Sequence, residues 1–95
     1  MNNLNSKSIE KLYEAILLLE TKEECVKFFE DVCTIKELQD MAQRLDVAWQ
    51  LKKGKSYQEI SKSTGASTTT ISRVNRCLVY GDGGYRDILD KMAEE

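Results

Sequence analysis

Two arginines, a run of short hydroxyl side chains and a scatter of lysines are the residues through which this chain could do chemistry. Arg73 follows Ser67-Thr68-Thr69-Thr70 by one helical turn. Short hydroxyls beside a guanidinium suit the edges of base pairs or ordered water in a nucleic-acid groove, and threonine methyls can lie against thymine. Lys55 and Lys62 flank this stretch, and Tyr57 and Gln58 open a predicted helix, where free backbone N–H groups and the helix dipole attract phosphate. Three β-branched residues in an exposed helical turn are poor helix formers, so Thr68, Thr69 and Thr70 point to binding rather than to folding. Ser67 serves both purposes, because capping a helix does not preclude a phosphate or base contact.

Other chemistries lack their residues. The chain has no histidine, which removes the commonest general base and metal ligand together. Cys25, Cys33 and Cys77 are widely spaced and form no C-x-x-C pair, so neither a disulfide framework nor a zinc knuckle is expected, and each reads as a small packing residue. No glycine loop cradles phosphate, Gly81-Asp82-Gly83-Gly84 being too short for a nucleotide, and no separated carboxylate pair accompanies a nucleophile. The reading is therefore of a protein that is not an enzyme and carries no metal or cofactor.

Charge supports a polyanionic partner. Over residues 52–79 Lys52, Lys53, Lys55, Lys62, Arg73 and Arg76 stand against Glu59 alone, a local +5 that leaves −7 on the remainder of a chain whose formal net charge is −2. A basic segment on an acidic chain is the footprint of phosphate binding without indiscriminate adhesion. Lys52 and Lys53 also suit a helix C-terminus, where cations are favoured, so both accounts stand for them.

The elements that must position these residues are helices. Proline is absent, and apolar residues recur at three-and-four steps. Ile9, Leu12, Tyr13, Ile16, Leu17 and Leu19 predict a first helix over about residues 6–20. Thr21 with Glu24, Thr34 with Glu37, and Ser56 with Glu59 each have the spacing of a capping box and open three more. The third is long, with Leu38, Met41, Ala42, Leu45, Ala48, Trp49 and Leu51 expected inward, and ends at Lys52-Lys53-Gly54. The fourth is short, and Gly65 falls where a left-handed turn is required. Ser67 caps a fifth helix to about Val79, and Tyr85, Ile88, Leu89 and Met92 predict a sixth after the flexible glycine break.

A short helix, a small residue at the crossing, a turn glycine and buried aliphatics on the second helix are what a helix-turn-helix demands. Ser61, Gly65, Ile60, Ile71 and Val74 meet these demands over residues 56–79. With 95 residues there is room for one compact domain, and one this small gains from a partner subunit. Residues 1–54 are expected to be dimerisation helices, 55–79 the helix-turn-helix and 80–95 a C-terminal helix. No apolar run approaches the ~20 residues of a membrane span. Met1-Asn2-Asn3-Leu4-Asn5 lacks the marks of a secretion signal, so a cytoplasmic location is expected.

From Thr34 to Leu78 the chain resembles the Trp repressor, and as a whole it resembles the YerC/YecD-type Trp-repressor-related proteins of bacteria. Thr34 through Glu37, Arg44-Leu45, Lys53-Gly54, Gln58-Glu59-Ile60, Gly65-Ala66, Thr70-Ile71-Ser72-Arg73 and Leu78 carry the likeness. It implies an all-α, six-helix fold in an intertwined homodimer, whose reading heads address a palindromic site on double-stranded DNA with half-sites about one turn apart. It also implies a transcriptional regulator that acts as a repressor. Family repressors hold tryptophan between two arginines, and the matching positions are Arg44 and Arg73. Where the family has a glycine after the second arginine this chain has Val74, and Cys77 replaces a serine that helps bind the ligand's amino group. A branched side chain intruding on a flat ring costs about 1–3 kcal/mol or excludes it. Tryptophan is therefore not the expected effector, and Arg44 and Arg73 are left with an internal ion pair, a phosphate contact or a different ligand.

Two rival readings remain beside this one. A helical adaptor could meet an acidic protein with the same basic face, and it would show no preference among DNA sequences. RNA binding lacks its usual aromatic platform, since Tyr57 is the only aromatic residue in the basic segment.

Overall fold

The computed structural model describes residues 6–94. Six helices follow in order: α1 (Ser6–Leu17), α2 (Lys22–Val32), α3 (Ile35–Lys52), α4 (Tyr57–Thr64), α5 (Thr68–Tyr80) and α6 (Gly84–Ala93). No strand occurs among the described residues. The segment Met1-Asn2-Asn3-Leu4-Asn5 lies outside them. No helix described is long and apolar enough to cross a membrane.

Capping chemistry sets the helix starts. Thr34 and Glu37 exchange bonds, the Glu37 N–H donating to the Thr34 hydroxyl at 3.0 Å and the Thr34 N–H to the Glu37 carboxylate at 2.8 Å. At the second helix the Glu24 N–H reaches the Thr21 hydroxyl at 3.1 Å, but the Glu24 carboxylate accepts from Glu20, one residue earlier than a capping box places it. This bond helps end α1 at Leu17 rather than near residue 20, because the Glu20 N–H is already engaged. Leu18 and Leu19 donate at three-residue spacing to Ala15 and Ile16, tightening the chain out of α geometry.

The chain divides into two compact units, one ending at Leu38 and the other beginning at Gln39, so the boundary falls inside α3. In the first unit no residue of α1 or α2 is buried. Leu12, Tyr13 and Leu17 on α1 and Val26 and Val32 on α2 remain exposed, as do Leu18, Ile35 and Leu38.

The second unit holds the core. Val47 and Ala48 of α3, Ile60 of α4, Ala66 of the turn, Ile71 and Val74 of α5 and Leu89 of α6 are buried together, with Leu45, Trp49, Leu51, Leu78 and Tyr85 packed around them. Burying an aliphatic side chain of this size stabilises by about 1.5–3 kcal/mol. Helix α4 packs on α5, and α5 on α6.

Two sequence expectations are corrected. Leu38, Met41 and Ala42 were expected inward but are exposed, and Val47, outside the expected set, is fully buried. The core reaches α3 only from Leu45 onward, so the apolar stripe of this long helix extends beyond the part that its own chain covers. Cys77, expected as a packing residue, is exposed, whereas Cys25 and Cys33 are half-buried.

Lys52 and Lys53 form local contacts at the end of α3. Their ammonium groups lie 5.9 and 4.9 Å from the centre of a Trp49 ring, and Lys52 also pairs with Asp90 at 3.0 Å. Such an exposed pair stabilises by about 0–1 kcal/mol.

Candidate nucleic-acid interface

Ser56 caps α4 and forms a reciprocal box with Glu59: the Glu59 N–H donates to the Ser56 hydroxyl at 3.1 Å, and the Ser56 N–H to the Glu59 carboxylate at 2.9 Å. The Glu59 carboxyl is held below its ordinary range, chiefly by this backbone N–H, then by the Ser56 hydroxyl, with a smaller pull from Lys55. At the other end Gly65 takes φ 78°, a left-handed conformation that a side chain would strain. The chain there turns sharply enough for Ser67 to start α5, its hydroxyl accepting from the Thr70 N–H at 3.1 Å.

The angle between α4 and α5 is fastened by polar contacts around this turn. The Ser61 hydroxyl donates to the Ala66 carbonyl at 2.8 Å, and the Thr64 hydroxyl both donates to the Ile60 carbonyl at 2.7 Å and accepts from the Ala66 N–H at 3.1 Å. From α3, the Gln43 amide donates to the Thr64 carbonyl at 3.1 Å. Ser63 donates to the Gln50 side-chain oxygen at 2.9 Å. Ile60, Ile71 and Val74 close the inner side. The helix-turn-helix is thus a corner fastened on its inner side, with an outer face exposed to solvent.

On that outer face a groove of about 420 Å³ is lined by Tyr57, Thr68, Thr69, Ser72, Arg73 and Arg76. The first turn of α4 supplies the tyrosine, and α5 supplies the rest. Four of the residues named from the sequence meet here: Tyr57, Thr68, Thr69 and Arg73. Lys55, Gln58 and Lys62 are exposed but stand outside the groove lining, and exposed Ser67 sits at its helix cap. Thr70 is half-buried and lines a second cleft instead.

Sequence reasoning counted Arg76 only as charge and quoted Ser72 only for the likeness, yet both line the groove. The signal was present, because residues 69, 72, 73 and 76 fall at three-and-four steps and so share one helix face. This surface combines short hydroxyls with two guanidinium groups, an arrangement able to hold phosphates and meet base edges.

The second cleft, about 350 Å³, is lined by Arg44, Thr70, Arg73, Val74, Cys77 and Tyr85. It brings together Arg44, Arg73 and Cys77, the three residues named for an effector, although Cys77 was not expected to be exposed. An internal ion pair does not account for the arginines, since among the described residues neither is paired with a carboxylate. Among the same residues no group of three His, Cys, Asp or Glu side chains could hold a metal.

The family model for the Trp repressor protein matches residues 7–93, nearly the whole chain. The chain belongs to the Trp repressor family. YerC, an uncharacterised protein of Bacillus subtilis (strain 168), is 49% identical over 94 residues, covering 99% of this chain and 90% of that protein. Among solved structures, a TrpR-like protein from Eubacterium eligens ATCC 27750 superposes with a TM-score of 0.91 at 45% identity, over 98% of this chain and 96% of that one. A candidate Trp repressor from Staphylococcus aureus gives a TM-score of 0.90 at 48% identity, over 97% and 92%. The six-helix fold expected from the resemblance is therefore the fold of the family's solved members. Trp repressor proteins are regulators that bind DNA, so family and groove point the same way.

Proposed function

We propose that this protein is a sequence-specific, DNA-binding transcriptional regulator, a repressor that blocks promoter access. The groove formed by Tyr57, Thr68, Thr69, Ser72, Arg73 and Arg76 on the outer face of the helix-turn-helix carries this reading. Helix α5 enters the major groove by its N-terminal turn, Thr68 and Thr69 meet base edges or the water over them, and Arg73 and Arg76 hold phosphates. Lys55, Gln58 and Lys62, exposed to the sides, add contacts to the flanking backbone. Ser67 presents the start of the reading helix.

The working form is a homodimer. A chain of this size leaves the apolar residues of α1 and α2 uncovered, and a second copy is the partner that suits a two-headed reader. Two heads related by a twofold axis address half-sites about one helical turn apart, so the operator is palindromic. In this reading tryptophan is not the effector: Val74 lines the same cleft as Arg44 and Arg73, and a branched side chain there takes space that a flat ring needs.

The test is a genomic selection in vitro, with purified protein capturing sheared DNA from its own source at about 150 mM salt before sequencing. Enrichment of one palindromic motif is the expected result. Uniform recovery of all sequences, or none, would overturn the reading and favour a helical adaptor that presents the basic face to an acidic protein.

A further inference from the structure

Around the corner of α4 and α5 most side-chain hydroxyls are occupied. Ser56 and Ser67 cap helices, Ser61 and Thr64 fasten the turn, Ser63 reaches Gln50, and Thr70 accepts from Ser67. Thr68, Thr69 and Ser72 differ: among the described residues nothing bonds to their hydroxyls, and all three are exposed in the outer groove. For the two threonines the cause is their place in the first turn of α5, since no turn of that helix precedes them whose carbonyls could take the bond.

A free hydroxyl alone would be supplied equally well by serine, which also sits in a helix at somewhat lower cost. What threonine adds is a methyl group, held stiffly because branching at Cβ leaves the side chain one or two rotamers. Two such methyls stand on neighbouring residues at the exposed start of the reading helix.

The rest of the groove narrows what they can choose. Hydroxyls bond to donors and acceptors alike and so distinguish bases poorly. The lining holds no amide side chain, the usual reader of adenine, and no carboxylate, the usual reader of cytosine. Its guanidinium groups, on Arg73 and Arg76, hold phosphates in the docking described above. Among the four bases only thymine presents a methyl group in the major groove, and a threonine methyl is an apolar partner for it. Tyr57 adds an aromatic ring to the same lining, which helps to keep water from such a contact.

We propose that Thr68 and Thr69 are specificity-determining residues that select thymine at two neighbouring base pairs of each half-site, through contact of their methyl groups with the ring methyl of the base. The inference rests on the DNA reading of the outer groove and adds which base is read and by which atoms. Uracil pairs as thymine does but lacks the methyl, so the same sequence carrying uracil is bound more weakly. Cytosine methylated on its ring carries the methyl at the same place in the major groove, so at these positions it is bound better than plain cytosine.

The experiment measures affinity for a duplex enriched from sheared genomic DNA, with deoxyuridine replacing each thymine of one half-site in turn. Losing one methyl contact should raise the Kd about three- to fivefold, and this should occur at two neighbouring base pairs. Methylated cytosine opposite guanine at either position should bind about three- to fivefold better than unmethylated cytosine. Thr68→Ser and Thr69→Ser keep the hydroxyl and remove the methyl. Each should bind the thymine duplex more weakly and lose the uracil effect at one of the two positions, the non-additivity expected of groups in contact. Equal affinity for uracil at every position, a uracil effect unchanged in both serine variants, or an enriched motif without neighbouring T·A pairs would overturn the assignment while leaving sequence-specific binding in place. If the wild type enriches no sequence at all, the DNA reading falls and the assignment with it.

Discussion

The hydroxyl of Ser61 donates to the main-chain carbonyl of Ala66 across 2.8 Å, joining α4 to the turn that launches α5. Both groups are partly buried, so water replaces this bond poorly. Ser61→Ala should destabilise the fold by about 1–2 kcal/mol. The thermal midpoint, followed by circular dichroism, should fall by about 4–8 °C for each kcal/mol. Ser61→Leu should cost more, because an overpacked helix crossing adds about 1–3 kcal/mol and shifts the reading helix. An unchanged melting curve in both variants would remove Ser61 from the corner.

Acid should loosen the start of α4. Glu59 titrates below its usual value of 4.5 in the fold, so its ionised form favours the native state. That stabilisation is complete above the unfolded pKa and is lost as the pH falls through the lower, folded one. Glu59→Gln removes the titration, so the stability gap between wild type and variant should narrow from about pH 7 to about pH 3 in denaturant melts. A gap that stays constant over this range would contradict the role given to the carboxylate.

Leu17 is 82% exposed on α1, so a polar replacement there costs the isolated chain little. If a second copy covers this stripe, Leu17→Asp loses about 1.5–3 kcal/mol of apolar burial per site, equivalent to a dimer dissociation constant raised at least about tenfold. Sedimentation equilibrium of wild type and variant measures it. Identical association would place the dimer contact elsewhere.

Arg76→Ala should weaken DNA binding about equally for all sequences and lower the slope of log K against log salt by about one. Arg73→Ala should weaken binding more, because of the two groove arginines it is the one closer along α5 to the reading turn. Binding isotherms across a salt series decide this, and unaltered slopes in both would misplace the reading face.

Calorimetry with micromolar tryptophan should give no saturable heat with the wild type. Val74→Gly should admit the ring while destabilising the fold by about 2–4 kcal/mol, since it leaves a cavity and puts glycine in a helix. Tight tryptophan binding to the unaltered chain would reverse the reading of Val74.

Several features were readable from the chain by itself because their causes are local. A serine three residues before a glutamate caps a helix wherever it occurs, and Ser56 with Glu59 does so here. Gly65 was legible as the left-handed turn, and Ile60, Ile71 and Val74 as core, because backbone sterics and helical periodicity need no knowledge of the neighbours. The likeness spread over Thr34 to Leu78 pointed to the family for the same reason: it lies in residue types at fixed spacing.

Facing was not legible, because it depends on where other helices cross. The sequence grouped Thr68, Thr69 and Thr70 as one reading turn, but only the packing of α5 against its neighbours places Thr70 in the inner cleft with Arg44 and leaves the other two outside. The same packing brings Arg76 and Ser72 to the groove, exposes Cys77 and buries Val47. Residue spacing settles which side chains share a face of one helix, whereas the crossing of several helices settles what that face meets. For this reason the helix-turn-helix could be read from the chain, and the position of Arg73 between two clefts could be seen only in the folded molecule.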